Sequence, residues 1–149
     1  MTSPRPPLPV STSLRPALAL LAGLGVTVLI VFVGVTVSTL AALRGVDPKA
    51  YVPPAWTYPT HLAISALGAL AGGFTTARIT VGHTLFTTLV LALILLMSAL
   101  APVLRRTPGA PGQPGWYAPS LAIASPIGAM LGGVLERRRG RAHRAAPPV

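Results

Sequence analysis

Residues 17–43 read ALALLAGLGVTVLIVFVGVTVSTLAAL, 27 consecutive positions without a charge, dominated by Leu, Val and Ala. About 20 such residues cross a hydrocarbon core of roughly 30 Å as a helix, so this stretch is a membrane span. Arg5 and Arg15 precede it, as they would in a secretory leader. Leaders have an apolar core of only about 7–15 residues, so a retained helix is expected. The rest of the chain follows the same pattern. Further spans are predicted at 60–77, 84–104 and 118–135, separated by Pro-rich or Gly-rich connections and by arginine. The fold expected is all-α, a four-helix transmembrane domain over 16–136, between a Pro-rich tail (1–15) and a basic tail (137–149) whose compositions bury nothing.

Composition agrees with that class. Of the 149 residues 52% are hydrophobic and 9% charged, against roughly a quarter charged in soluble domains; the mean hydropathy is +0.67. Twelve basic residues face two acidic ones, a net charge of +10. In a soluble chain this would suggest nucleic acid. Here the arginines lie outside the apolar runs, where topology accounts for them, and no nucleic-acid partner is expected. With the N-terminus inside, eight basic residues fall on the inner side (Arg5, Arg15, Arg78, Arg137, Arg138, Arg139, Arg141, Arg144) and four on the outer (Arg44, Lys49, Arg105, Arg106). The excess of Lys and Arg in cytoplasmic segments therefore puts both termini in the cytoplasm. Eleven of the 12 basic residues are Arg, and Ala, Gly and Pro abound, a usage of GC-rich coding that points to a bacterial inner membrane.

The most specific signal is internal. Shifted by 60 residues without a gap, WTYPTHLAISALGALAGGFTTAR (56–78) falls on WYAPSLAIASPIGAMLGGVLERR (116–138), and eight of 23 positions coincide. The predicted repeat unit is a pair of helices, the two units being related by a pseudo-twofold axis along the membrane normal. Trp56 with Tyr58, and Trp116 with Tyr117, fall at the outer helix ends, where amphipathic rings anchor at headgroup level. Ser65, Ala69 and Gly73 recur every four residues beside Gly68 and Gly72, as Ser125, Ala129 and Gly133 do beside Gly128 and Gly132. Small residues so spaced let helix backbones approach closely in lipid. They either hold the four helices of one chain together, or form a homo-oligomer or partner interface, or line a solute path. Arg78 and the cluster Arg137, Arg138 and Arg139 fix the inner ends. Pro126, mid-span, predicts a kink.

Reactive constellations are missing from the pattern. With no cysteine, thiol chemistry and thiolate metal sites are excluded. No Asp, Glu, Lys or Arg lies within the four spans; Asp47 and Glu136 fall on opposite sides, and Glu136 is suited to a surface pair with Arg139. His61 and His83 are separated by most of the bilayer and His143 lies in the tail, so no metal or cofactor site is expected. Span hydroxyls such as Thr27, Thr36, Ser38, Thr75, Thr76, Thr87, Thr88 and Ser98 can bond carbonyls one turn back. Neither an enzyme nor a charge-coupled transporter is expected.

AGGFTTAR (Ala71 to Arg78) resembles the Gly-Gly to Ala-Arg type ending of a span in small four-span bacterial inner-membrane proteins of uncharacterised families. That resemblance implies the four-span core and no activity; the second copy, LGGVLERR, departs from it at Glu136 and Arg137. Small multidrug transporters are similar in size and span number, but their essential first-span glutamate has no counterpart between Ala17 and Leu43. The function expected is a structural or accessory helical module packing with itself or with a larger membrane complex, the alternative being a small pore or carrier for a neutral or apolar solute.

Overall fold

A computed structural model describes residues 11–45, 51–80, 84–104 and 113–145. These form four helices and, among the described residues, no strand: α1 (Ser11–Ala42), α2 (Thr57–Ile79), α3 (Thr84–Leu104) and α4 (Tyr117–Ala145). All four are long and apolar enough to cross a membrane.

The helices outrun the predicted spans. α1 begins at Ser11 and carries Pro16 near its start, and α4 continues through the arginine cluster to Ala145. Parts of both segments read as unfolded tails are therefore helical. The physical reason is propagation: once an apolar span has nucleated a helix, each further residue adds a hydrogen bond for one residue fixed, and arginine is among the better helix formers. Pro126 lies within α4, which continues on both sides of it. Asp47, Lys49, His83, Arg105 and Arg106 lie outside the described residues, as does the side chain of His143.

Helix starts and stops follow local chemistry. Leu43 donates its N–H to the Thr39 oxygen, and Gly45, at a φ of 79°, turns the chain out of α1 as glycine can without strain. α2 opens with the Thr57 N–H on the Pro54 oxygen (3.0 Å) and the Thr60 N–H on the Trp56 oxygen (3.3 Å). Sixty residues on, Tyr117 and Ser120 make the same bonds to Pro114 (3.1 Å) and Trp116 (3.0 Å) at the opening of α4.

α2 and α4 pack against each other at the centre; α1 lies on α2, α3 lies on α4, and α1 and α3 meet only lightly. The core is inverted relative to a water-soluble bundle. Its buried apolar residues are Ala19, Ala69, Ala77, Ala92, Ala122 and Ala129 with Leu91 and Tyr58, joined by Thr27, Thr57, Thr76 and Thr88. Large side chains point outward instead: Leu21, Leu29 and Phe32 on α1, Phe86 and Met97 on α3, and Ile123 on α4 are all more than half exposed. Such a surface suits hydrocarbon rather than water, and close backbone packing of small residues replaces the absent hydrophobic drive inside.

Candidate functional site

The glycines singled out in α2 and α4 lie against neighbouring helices of the same chain. Gly68 and Gly72 seat α1. A Cβ built on Gly72 would run into the Thr27 hydroxyl and the Gly23 carbonyl, and one on Gly68 would stand 3.0 Å from the Val31 side chain. Across the same contact, a Cβ on Gly23 would strike the Thr76 hydroxyl. Each threonine thus fills the space above the other helix's glycine. Thr27 bonds back to the Gly23 oxygen (2.9 Å), whereas Thr76 donates to the Ala19 oxygen of α1 (3.3 Å). Gly23 and these two threonines complete a contact of which the sequence motif marked only one side.

The glycine row of α4 is used differently. Gly128 and Gly132 face α2, with a Cβ on Gly128 standing 2.7 Å from the Ala66 oxygen and one on Gly132 colliding with the Leu70 carbonyl. Gly73 meets the Ala129 backbone, and Gly133 sits under Thr88 of α3. A strict pseudo-twofold would send Gly72 and Gly132 to corresponding partners, α1 and α3. Instead α4 offers α2 its Gly128/Gly132 row, while α2 offers α4 the row through Ala69 and Gly73. The two faces differ by one residue, a rotation of about 100° around the helix. Identical glycines therefore do different work in the two halves.

At the tyrosine end, Trp56 and Trp116 are half exposed, as headgroup anchors would be. The tyrosines are not presented the same way. Tyr58 is 7% exposed and packs edge-on to Tyr117, with ring centroids 5.4 Å apart, and Tyr117 also meets Trp116 at 6.2 Å. The converging ends of α2 and α4 bury Tyr58 and half-bury Tyr117, and among the described residues the Tyr58 hydroxyl has no hydrogen-bond partner. Nearby, Ser38 of α1 and His61 Nε2 of α2 are 2.8 Å apart, a polar tie between helices that sequence alone could not locate. At the opposite end Arg78, Arg137, Arg138 and Arg139 are exposed. Among the described residues Glu136 makes no pair with Arg139, and its Oε2 is buried without a hydrogen-bond partner. Among the described residues no three His, Cys, Asp or Glu side chains cluster as metal ligands would.

The most site-like feature lies between α1 and α3. Because these helices barely touch, a groove of about 590 Å³ opens there, walled by Val28, Val31 and Phe32 on one side and Leu95 and Ala99 on the other. Its polar groups include Ser65 of α2 and Ser125 of α4, residues 60 apart in the sequence and both buried. A second groove of about 470 Å³, between α3 and α4, is lined by apolar side chains such as Leu93 and Met130 and offers no hydrogen-bonding side chain. Compared with known protein families, curated proteins and solved structures, the chain has no match in any of the three.

Proposed function

We propose that this is a structural or accessory module of a bacterial inner membrane, built as a duplicated helix pair with both termini in the cytoplasm, which offers its outer apolar faces to lipid, to a second copy or to a larger membrane complex. The observation that carries the reading is how the small residues are consumed. The glycine faces of α2 and α4 are filled by neighbours of the same chain, and a continuous apolar exterior remains. No acidic side chain interrupts the spans predicted from sequence, as proton or ion coupling ordinarily requires. The duplication is supported by the eight identities and by the matched opening turns of α2 and α4.

Native mass spectrometry of the tagged chain, gently extracted from its own membrane, tests this. A stoichiometric foreign subunit or a defined homo-oligomer is the expected result; a monomer that leaves alone under every mild detergent overturns it. Substituting Gly72→Leu together with Gly132→Leu is expected to lower thermal stability and to lose that partner, because both positions lie at backbone contacts.

A second reading is favoured by the groove: a carrier for a neutral or apolar solute, working without a charged site. Solute flux into proteoliposomes is its test. Vesicles that stay sealed under every imposed gradient overturn it.

A further inference from the structure

Described serine and threonine side chains commonly donate to a main-chain oxygen, most of them one turn back on their own helix. Thr75 bonds the Ala71 oxygen and Ser98 the Ile94 oxygen in this way. Ser65 and Ser125 do not. They are only 9% and 8% exposed, yet neither hydroxyl bonds any described residue, and both line the groove between α1 and α3. An unpaired hydroxyl in hydrocarbon is costly, since no water is there to satisfy it. Two of them at equivalent positions of α2 and α4, facing one apolar groove, define a polar floor that awaits an oxygen or N–H from outside the chain.

The groove's dimensions select the occupant. Along α1 it runs from Thr27 to Thr36, about 13 Å of helix. The space is about 590 Å³, within the ordinary range of small-molecule pockets, which are apolar with a few convergent polar groups. No Asp, Glu, Lys or Arg is among its lining residues, so a charged ligand would go uncompensated. Ser65 and Ser125 each lie eight residues past the starts of α2 and α4, about 12 Å down the helix axis. That is below the level of the tryptophans, so the ester oxygens of an ordinary glycerolipid do not reach them.

We propose that this groove binds an uncharged, mainly apolar small molecule with a carbonyl, ether or hydroxyl oxygen set within its hydrocarbon body, entering sideways from the bilayer between α1 and α3. The oxygen meets Ser65 and Ser125; the hydrocarbon lies along Val28, Phe32, Leu95 and Ala99. It rests on the same groove as the carrier reading and names the class of molecule held there, but binding of this kind does not depend on whether the chain moves the molecule across the membrane.

The test is photo-crosslinking of the purified full-length chain with a diazirine-bearing long-chain ketone and with the diazirine alkane of equal length. The ketone is expected to label α1 and α3 peptides around Val28 and Leu95 saturably, to be displaced by unlabelled ketone and not by unlabelled alkane, and to label the Ser65→Ala/Ser125→Ala variant at least about tenfold less, the effect of losing two ordinary hydrogen bonds. Thermal unfolding of that variant should match or exceed that of the parent, since two unpaired hydroxyls are removed. Equal labelling by ketone and alkane, indifference to the two alanines, or recovery of a second copy or foreign helix shielding Val28 and Leu95 overturns the proposal. The competition arm uses the unsubstituted chain and stands whatever the variant's folding. Flux plays no part in any arm, so failure here leaves the carrier reading to its own assay.

Discussion

Thr76 of α2 donates its hydroxyl across the helix boundary to the main-chain oxygen of Ala19 in α1, at 3.3 Å, while its side chain occupies the space that a Cβ on Gly23 would need. One residue thus serves as both hydrogen-bond donor and packing knob. The two roles separate by substitution. Thr76→Val keeps the shape and removes the donor, and should lower the unfolding free energy in detergent by about 0.5–1 kcal/mol, the ordinary worth of an interhelical hydrogen bond in a membrane protein. Gly23→Val keeps the donor and forces the helices apart, and should cost more, on the order of 1–3 kcal/mol. Equal effects would mean that the contact is not organised by shape.

The glycines divide into those that meet a neighbour and those that do not. Gly73→Ala drives a methyl into the Ala129 backbone and Gly132→Ala drives one into the Leu70 carbonyl, and backbone cannot swing aside as a flexible side chain can. Each should destabilise by about 1–3 kcal/mol. Gly25→Ala, within α1 with nothing within 4 Å of the added carbon, should leave stability unchanged or raise it by up to about 1 kcal/mol through helix propensity. Thermal unfolding of the three variants in one detergent decides between them, and a similar loss at Gly25 would refute the packing account.

How far the sequence carried is clear from these residues. Four apolar runs and their helical periodicity follow from the solvent alone, because lipid leaves no other way to satisfy the backbone. The glycine rows follow too, since only close approach explains them at that spacing. Partner choice was not legible. Gly72 and Gly132 are identical in motif, yet one seats α1 and the other α2, and that difference depends on how each helix is rotated, which a four-residue period leaves open. Thr76 likewise looked like a hydroxyl for its own helix, and nothing local distinguishes it from Thr75, which does bond back. The groove is illegible for the same reason: Ser65 and Ser125 carry the spacing of packing residues, and only the light contact between α1 and α3 leaves space above them.

Tyr58 has the position of a surface anchor but is buried, which makes an unusual prediction. Its hydroxyl is enclosed without a partner among the described residues, while its ring packs on Tyr117 at 5.4 Å. Removing an unsatisfied buried hydroxyl relieves a desolvation cost, so Tyr58→Phe should hold or raise the unfolding temperature. Tyr58→Ala should lower it, since an edge-on aromatic pair is worth about 0.5–1.5 kcal/mol beyond its buried area. A Phe variant markedly less stable than the parent would mean that the hydroxyl has a partner in the membrane.

Orientation rests on the arginines, and the absence of native cysteine makes it directly measurable. Gly140 lies on the extension of α4 with open space around it, and Val52, on the connection between α1 and α2, is exposed. Single cysteines at these two positions report opposite sides of the membrane if the chain crosses as four spans. With eight basic residues on one side against four on the other, Gly140→Cys should react with an impermeant maleimide only after the inner membrane is opened, and Val52→Cys should react in intact spheroplasts. Replacing Arg137, Arg138, Arg139 and Arg141 with Gln leaves four basic residues on each side. The bias that selects one orientation is then gone, and Gly140→Cys in that background should become reactive in a measurable fraction of intact cells. If it stays wholly protected, the orientation is set by something other than the arginine count.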